Sequence, residues 1–149
     1  MKLYLAGPSG EVDRVREIAV KLEADGHRIV DRWWMRVVPG SSDDQLDDAA
    51  LDASIQKCME AISLHAEAVV AIPSTLTLRL STGTAVEVGM TLANRLPVLL
   101  LGQVNGLPFR TRCRIAPSMD HLLAELREIS YAKEVAEMDL AELHAGDDA

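Results

Sequence analysis

The amino-acid sequence predicts a single-domain, doubly wound α/β fold of the flavodoxin-like or Rossmann-like kind, with a five-stranded parallel sheet and helices on both faces. Along the 149 residues, short apolar runs alternate with segments whose apolar residues recur at helical spacing, the pattern of strands linked by helices. The apolar runs are nearly continuous, which is typical of strands buried on both faces of a parallel sheet. A chain of this length forms one ordinary domain with a sizeable core.

Five apolar runs are the predicted strands, and Gly or Pro residues mark the turns that follow most of them. In chain order the strands are 3–6, 27–31, 68–72, 97–101 and a short fifth strand at 111–115. A loop is expected over 33–42, where Pro39-Gly40-Ser41-Ser42 interrupts both periodicities. Parallel strands are joined by right-handed crossovers, so the intervening helices should cover both faces.

Four helices are predicted between and after these strands. The first ends at Gly26, the second runs from about Asp43 to about His65, the third covers 84–94, and Ser118 caps the last. The inward residues are expected to be Val12, Val15, Ile18, Ala19 and Leu22 in the first helix, Leu46, Ala49, Ala53, Cys58, Met59 and Ile62 in the second, and Leu122, Leu123, Leu126 and Ile129 in the last. We expect the domain to span 1–140 and residues 141–149 to form a flexible acidic tail.

The charge balance and the cysteine content exclude several partners. Lys and Arg number 15 and Asp and Glu number 23, so the net charge is −8, which disfavours polymeric nucleic acid. No apolar stretch approaches the roughly 18–20 residues that span a bilayer, and the first apolar run is too short for a signal peptide. Cys58 and Cys113 are isolated thiols without metal-ligand spacing. We therefore expect a cytoplasmic protein with reduced cysteines, no membrane association, no metal and no other cofactor.

In doubly wound sheets, ligands bind at the carboxyl ends of the strands, where the strand order reverses. With five strands this point most often lies between the first and third strands, so a site is expected at the loops after Ala6 and Ile72. Neither loop has a dinucleotide fingerprint or the Gly-Lys-Ser/Thr of a phosphate-binding P-loop. The second loop leads instead into Ser81-Thr82-Gly83-Thr84-Ala85-Val86-Glu87-Val88-Gly89.

Residues 81–89 combine several features of a ligand site. Ser81 or Thr82 is expected to cap the third helix, and Gly83 would let a ligand approach free backbone amides that favour an anion. Glu87 is expected in the first turn of that helix, where the helix dipole favours its ionised form. An ionised carboxylate at a strand-end cleft is a competent nucleophile or base. The alternative is a surface glutamate that the dipole alone favours.

Two motifs occupy the loops where a site is expected. They are Tyr4-Leu5-Ala6-Gly7-Pro8 and Ser81-x-Gly83-Thr84-x-x-Glu87-x-Gly89. Together they resemble the nucleoside 2-deoxyribosyltransferase family, which includes hydrolases of nucleoside 5′-monophosphates. Between them, residues 26–33 (Gly-His-Arg-Ile-Val-Asp-Arg-Trp) are similar to the GHEVTSRW pattern of small members of that family. The order of elements also matches from the first strand to about Leu126.

The resemblance implies a role for each matched residue. Glu87 matches the glutamate that attacks the anomeric carbon of the sugar, and Tyr4 matches the tyrosine that orients this glutamate by a hydrogen bond. Gly7 would let the sugar pack against the first turn, and Gly83 and Thr84 belong to the same substrate-binding motif. A carboxylate suits this chemistry, because cleavage of an N-glycosidic bond builds positive charge on the sugar ring. Water would then give hydrolysis, and a second base would give transfer with retention of configuration.

The resemblance leaves transfer and hydrolysis both open. Ser81 stands where the transferases commonly have an Asp near the sugar hydroxyls, whereas the monophosphate hydrolases use a Ser there to hold the 5′-phosphate. Ser81, Ser9 and the Gly83 amide therefore suggest a phosphate contact. Those hydrolases also place an Arg in the first loop, and the equivalent position here is near Gly10. The chain lacks a clear asparagine-bearing C-terminal segment of the kind that the transferases borrow from a neighbouring subunit.

An acid is also needed to protonate the leaving group, and the second helix is rich in aspartates. Asp52 resembles the family's aspartate on the helix before the third strand, which contacts the base side of the substrate, and we assign it a catalytic role. The alternative is that Asp44, Asp48 and Asp52, spaced by four residues, form a solvated acidic face.

The few aromatic residues, 3% of the chain, are concentrated near strand ends. Of the adjacent Trp33 and Trp34, one is expected to face inward and the other a cleft, and Trp33 is assigned to stacking on the nucleobase. The alternative is a tryptophan that only covers the sheet edge. Phe109, in the loop after the fourth strand, is expected to close the pocket.

The leading interpretation is cleavage of the N-glycosidic bond of a (deoxy)nucleoside or nucleotide through a covalent glycosyl-Glu intermediate, with transfer to another base. The first alternative is a (deoxy)nucleoside 5′-monophosphate N-glycosidase that releases free base to water. The second is a non-catalytic nucleotide-binding module of the same fold. The expected partner is thus a small-molecule nucleoside or nucleotide. The resemblance also implies a homodimer or higher homo-oligomer, since sites of the family often take residues from a neighbour.

Overall fold

A computed structural model describes residues 1–37 and 47–147, with side chains as far as Ala141 in the last helix. Among these residues, five strands form one sheet in the order β2-β1-β3-β4-β5, and each neighbouring pair is parallel. The strands are β1 (Lys2–Ala6), β2 (Arg28–Ile29), β3 (Ala68–Ala71), β4 (Val98–Leu101) and β5 (Arg114–Ala116). This order confirms the predicted sheet and its reversal between β1 and β3.

The α-helices of the described residues are α1 (Val12–Ala24), α2 (Asp48–Glu60), α3 (Thr82–Ala93) and α4 (Met119–Asp147). Short 3₁₀ turns occupy Ser9–Glu11, Trp33–Met35 and Arg110–Arg112, and a π-helical segment, Ala61–His65, continues α2. None of the helices in residues 1–37 and 47–147 is both long and apolar enough to cross a membrane.

The hydrophobic core lies on both faces of the sheet. On one face, Leu99 of β4 belongs to a buried cluster with Leu22 of α1 and Leu126 of α4. On the other face, Leu100, the next residue of β4, packs in a second cluster with Val88 of α3. This alternation follows from the two-residue period of side chains along a strand. Helices therefore cover both faces, as predicted. The loop after β1 leads to α1, and the loop after β3 leads to α3.

The predicted start of the second helix is wrong. The Asp47 side chain accepts a hydrogen bond from the Ala50 amide at 2.8 Å, and this cap begins α2 at Asp48 rather than at about Asp43. Asp43, Asp44 and Leu46 lie outside the described residues. The predicted acidic face can therefore be followed only from Asp48 onward.

The predicted apolar face of the second helix is also mostly wrong. Ala49, Ala53 and Met59 are exposed, and Cys58 is half-buried. Ile62 is fully buried, but it lies in the π-helical segment beyond α2. No residue of α2 itself is buried, so apolar packing holds this helix only weakly against the sheet. Cys58 packs against the edge of the core, and the polar contacts of α2 belong to the site described below.

Three further boundaries differ from the predictions. β2 pairs with β1 only through Arg28 and Ile29, and β5 begins at Arg114 because a 3₁₀ turn occupies Arg110–Arg112. The backbone of α4 continues as a helix to Asp147, past residue 140, where the domain was predicted to end. The proposed limits of the domain and its tail remain predictions.

Candidate active site

The central feature of the site is a hydrogen bond between β1 and α3. The Tyr4 hydroxyl donates to Oε1 of Glu87 across an O–O distance of 2.6 Å. Tyr4 lies in the middle of β1, between β2 and β3, and its side chain is fully buried. α3 buries Thr84, Val88 and Thr91, and Glu87 projects beside this buried face. The fold thereby joins residues 83 positions apart, one from each sequence motif.

The environment of Glu87 raises the pKa of its carboxyl group from 4.5 to about 7. Burial is the largest cause, and the negative charge of Asp31 adds to it, whereas the hydrogen bond from Tyr4 acts in the opposite direction. The expectation that the helix dipole would favour the ionised form is therefore wrong. α3 begins at Thr82, so Glu87 lies in the second turn, where the dipole effect has fallen off and burial dominates.

Tyr4 remains a hydrogen-bond donor throughout the physiological pH range. Burial, followed by the negative charge of Glu87, raises the pKa of the Tyr4 hydroxyl far above its ordinary value. A neutral phenol beside the carboxylate orients one of its oxygens and stabilises its ionised form. The pair therefore presents a carboxylate that is ionised in about half of the molecules near pH 7.

A second group of polar side chains, which the sequence analysis did not assign to the site, adjoins this pair. Asp31 follows the end of β2, and its carboxylate forms a bidentate ion pair with Arg36, with N–O distances of 2.6 and 2.8 Å. Arg36 also donates from Nε to the Ser54 hydroxyl on α2 at 3.3 Å and lies 3.5 Å from the Cys58 sulfur. We call Asp31, Arg36, Ser54 and Cys58 the Asp31–Arg36 cluster.

One member of this cluster could have been found from the sequence. Asp31 is the last residue of a predicted strand, and the carboxyl ends of β1, β2 and β3 meet at one edge of the sheet. Arg36 had no comparable signal, because it lies in an irregular segment after the Trp33–Met35 turn. Cys58 was expected in the core, but its thiol is half-buried and faces the polar groups.

At the N-terminus of α3, two hydroxyl groups are hydrogen-bonded to each other and the space beside Gly83 is open. Ser81 caps the helix by accepting from the Thr84 amide at 3.2 Å, and the two hydroxyls lie 2.8 Å apart. Thr84 is buried, so this pair also fixes the first turn. A Cβ atom built on Gly83 would meet nothing within 4 Å, so the space beside its Cα atom is open.

The first loop has a different character, because packing requires its glycine. A Cβ atom on Gly7 would lie 2.9 Å from Cγ2 of Val15, so this glycine allows α1 to pack closely against the end of β1. Ser9 is exposed in the following 3₁₀ turn. The Glu11 carboxylate accepts the Thr75 amide at 2.9 Å, which joins the loop after β1 to the loop after β3. The two loops of the strand reversal are therefore linked directly.

The structure does not bring the other predicted site residues to the Tyr4–Glu87 pair. Asp52 is exposed on α2, about 200° around the helix from Ser54, which faces Arg36. Phe109 lines a cavity of about 230 Å³ with Leu80 and Ala85. Ala85 and Glu87 point about 200° apart on α3, so this cavity lies on the other side of the helix.

The expectation that one of the two tryptophans faces a cleft is wrong. Trp33 is 8% exposed and Trp34 is 3% exposed, and their rings pack edge to face with centroids 5.8 Å apart. The Trp33 indole donates to the Leu5 carbonyl at 2.6 Å, which fixes it to the end of β1. Its polar atom is thus used within the fold, as is usual for a buried indole.

Comparisons with known proteins agree with the fold. No protein-family model and no curated protein sequence matches the chain. A conserved protein from Enterococcus faecalis V583 has a similar structure, with a TM-score of 0.63 and 16% sequence identity over 86% of this chain and 98% of that one. The Clostridium botulinum CMP N-glycosidase BcmB is similar with a TM-score of 0.54 and 17% identity over 87% of this chain and 99% of that one. The chain therefore has a fold that a nucleotide N-glycosidase also adopts, in agreement with the expectation from the two motifs.

Proposed function

We propose that this protein cleaves the N-glycosidic bond of a (deoxy)nucleoside or nucleotide, with Glu87 as the nucleophile and a second base as the acceptor. The observation that carries the proposal is the 2.6 Å hydrogen bond from Tyr4 to Glu87 at the edge of the sheet where the strand order reverses. It joins a partly buried carboxylate to a neutral donor. This is the arrangement that a carboxylate nucleophile requires.

The proposed reaction has two displacements. In the first, an ionised oxygen of Glu87 attacks the anomeric carbon, the carbon–nitrogen bond breaks, and the base leaves with the bonding electrons and takes a proton from water. In the second, the nitrogen of another base attacks the same carbon, gives up its proton to solvent and releases Glu87 as a carboxylate. Two inversions give overall retention. Tyr4 holds the carboxylate in one orientation during both steps, which limits the entropy lost on reaching the transition state.

Burial gives Glu87 a second property that suits this role. A carboxylate that is partly removed from water has lost some of its hydration shell, so less solvent must be displaced when it attacks. The same burial raises the pKa of its carboxyl group to about 7. We therefore expect kcat/KM to rise with pH through about pH 7, as the ionised fraction of Glu87 increases.

Hydrolysis of a 5′-monophosphate is the alternative that two observations favour. The C. botulinum protein of similar fold is a CMP N-glycosidase. In this chain, the exposed Ser81 and the open backbone at Gly83 are suited to contact a phosphate at the start of α3. Water would then replace the acceptor base in the second displacement. We assign Gly7, Ser9 and Thr84 to the walls of the same sugar and phosphate site, and we propose no contact of Asp52, Trp33 or Phe109 with the substrate.

A non-catalytic nucleotide-binding module is the second alternative. It would also explain the open space beside Gly83, but it gives no reason for burying a carboxylate against Tyr4. We further propose that the protein is a cytoplasmic homodimer or higher homo-oligomer. In support, α2 exposes Ile55 and Met59, which are apolar and one helical turn apart.

The test is incubation with a panel of nucleosides, deoxynucleosides and their 5′-monophosphates, each with and without an acceptor base, followed by chromatography. Base exchange supports transfer, and base release from monophosphates alone supports hydrolysis. Ligand-induced stabilisation without base release would instead support the binding module. Glu87→Gln keeps a hydrogen-bond partner for Tyr4 but removes the nucleophile, so activity should fall by about 10³-fold or more.

Glu17→Gln is the matched control, because Glu17 is exposed on α1 and should be replaceable without loss of activity. Mass spectrometry with a 2′-fluoro nucleoside, whose fluorine slows both displacements, should detect the sugar attached to Glu87. If Glu87→Gln retains parental activity, Glu87 is not the nucleophile and the proposal fails.

A further inference from the structure

The Asp31–Arg36 cluster contains a pair of opposite charges at the end of β2, the strand next to the one that carries Tyr4. Both oxygens of Asp31 are bound by Arg36, and the side chains are 12% and 26% exposed respectively, so the pair is shielded from most of the solvent. Hydrogen bonds from Arg36 to Asp31 raise the pKa of the guanidinium further, and it remains charged. An ion pair in such surroundings is screened less than one at the surface.

This cluster also connects α2 to the rest of the protein. α2 has no buried residue, and among the described residues its Ser54 and Cys58 side chains meet the Arg36 guanidinium at 3.3 and 3.5 Å. The Cys58 sulfur lies 3.8 Å from an Asp31 oxygen. Arg36 thus binds one strand end and two successive turns of α2 at once. A lysine could not reproduce this geometry, because it lacks the planar fork.

The cluster adjoins the Tyr4–Glu87 pair through the pairing of β2 with β1. The Val30 amide donates to the Leu3 carbonyl at 2.9 Å, so the next residue, Asp31, lies alongside the part of β1 that contains Tyr4, and the Tyr4 hydroxyl donates to Glu87. The titratable groups whose charges act on Glu87 or on its neighbours are Tyr4 on β1, Asp31 after β2 and Cys58 on α2, and Arg36 contacts the last two. Among them, Asp31 brings a negative charge and Arg36 the compensating positive one.

We propose that Asp31 and Arg36 act as a pair of positioning residues for Glu87, holding Cys58 and α2 against Tyr4 and setting, through the balance of their two charges, the protonation state in which Glu87 meets the substrate. The inference rests on the proposed function of Glu87. Neither residue needs to touch the substrate. The pair acts through the electric field at the carboxylate and through the orientation of Tyr4.

The two charges should have opposite effects, which a purely structural role cannot produce. With Asp31→Asn the negative charge is lost and Arg36 is left unneutralised, so ionisation of Glu87 becomes easier and its titration moves to lower pH. With Arg36→Met the Asp31 charge is left uncompensated, so the titration moves to higher pH. For charges in partly shielded surroundings we expect the titration midpoint of Glu87 to shift by about half a pH unit to one unit.

The experiment follows the carboxyl carbon of Glu87 by ¹³C NMR as a function of pH in the full-length protein, with Glu87→Gln used to assign the signal. In parallel, the pH profile of kcat/KM is measured on the best substrate of the panel. Arg36→Lys keeps the charge without the fork, so its titration should stay close to that of the parent. Arg32→Met is the matched control, because it breaks an exposed ion pair with Glu23 and should leave the titration midpoint of Glu87 and the pH profile unchanged.

Opposite shifts in the Asn and Met variants, with Arg36→Lys near the parent, support the proposal. Shifts in the same direction, or no shift in either variant, overturn it. If Arg36→Met does not fold, Asp31→Asn decides alone, and an unchanged or higher titration midpoint overturns the proposal. The NMR titration needs no substrate, so opposite shifts without any base release would reject the proposed function and leave the charge pair supported. If cleavage depends on Glu87 but the titration midpoint of Glu87 is unchanged in both variants, the proposed function is supported and the role of the charge pair is rejected.

Discussion

The two halves of the candidate site are held in place by different forces. Tyr4 and Glu87 form the packed half, in which residues 3–6 of β1 are buried in the sheet and α3 buries three residues against the sheet. The Asp31–Arg36 cluster forms the polar half, in which α2 has no buried residue and its Ser54 and Cys58 side chains meet Arg36, which is itself paired with Asp31. Apolar burial is roughly proportional to area and insensitive to salt, whereas polar contacts depend on geometry and charge.

This difference suggests a division of labour within the site. The packed half holds Glu87 rigidly, because a shift of Tyr4 or α3 would disturb the close-packed core. The polar half depends on few contacts, and α2 has no buried residue, so we expect it to open more easily than the packed half. The packed half contains a buried carboxyl group, and the cost of ionising this group should make the stability of the protein depend on pH.

The largest expected effect comes from Glu87→Gln measured as stability against pH. The pKa of Glu87 is higher in the folded chain, about 7, than its ordinary value of 4.5, so folding favours the protonated form. This stabilisation is complete below about pH 4.5 and is lost as the pH rises through about 7. Relative to the Gln variant, which cannot titrate, the parent should lose roughly 2–3 kcal/mol of unfolding free energy over that range.

Urea denaturation between pH 4.5 and 8 measures this difference directly. Glu17→Gln, on the exposed surface of α1, should follow the parental curve at every pH. Parallel curves for the parent and Glu87→Gln would mean that burial in the packed half leaves the carboxyl group unperturbed.

The packed half was the part of the site that the sequence could indicate. Tyr4 and Glu87 stand in motifs at the ends of two predicted strands, and the doubly wound topology places those ends together. The pKa of Glu87 could not be anticipated in the same way. The sequence suggests only how far a residue is from a helix terminus, whereas burial depends on what the folded chain packs around it.

The polar half could hardly be predicted, because its partners are far apart in the sequence and no periodicity links them. Arg36 reaches Cys58, 22 residues later, from an irregular segment. The helical period of α2 suggested an apolar inward face, but the face toward the body is formed by Ser54 and Cys58 and is bound by Arg36. Polar anchoring of a helix follows no pattern of apolar residues, so the periodicity placed Ala49 and Ala53 inward incorrectly.

Tyr4→Phe tests the one hydrogen bond within the packed half, and its effect should be intermediate. The bond from Tyr4 lowers the pKa of Glu87, so its loss should raise that pKa above about 7 and decrease the ionised fraction. If the pKa rises by about one unit, kcat/KM at pH 7 falls about 5-fold and recovers above pH 9. The pH profile of kcat/KM is the measurement. Tyr131→Phe, on the exposed face of α4, is the control and should change nothing.

A loss of activity in Tyr4→Phe that is equal at all pH values would show that Tyr4 orients Glu87 without tuning its ionisation. In that case the charge of Asp31 would be the main electrostatic influence left on the carboxylate besides burial.

The smallest effect is expected at Gly83, where the packed half adjoins the proposed substrate site. Gly83 and Gly89 both lie in α3, and a Cβ atom on either would meet nothing within 4 Å. Replacement by Ala should therefore stabilise the helix in both cases, by up to about 1 kcal/mol, which corresponds to a rise of about 2–4 °C in the midpoint of thermal unfolding. Only the methyl group at Gly83 would occupy the space through which the sugar or its phosphate approaches the backbone. Gly83→Ala should thus be more stable than the parent and several-fold less active, whereas Gly89→Ala should be stabilised with full activity. Equal activity in the two variants would mean that the methyl group added at Gly83 blocks no substrate. The substrate would then bind elsewhere, and not against the backbone at the start of α3.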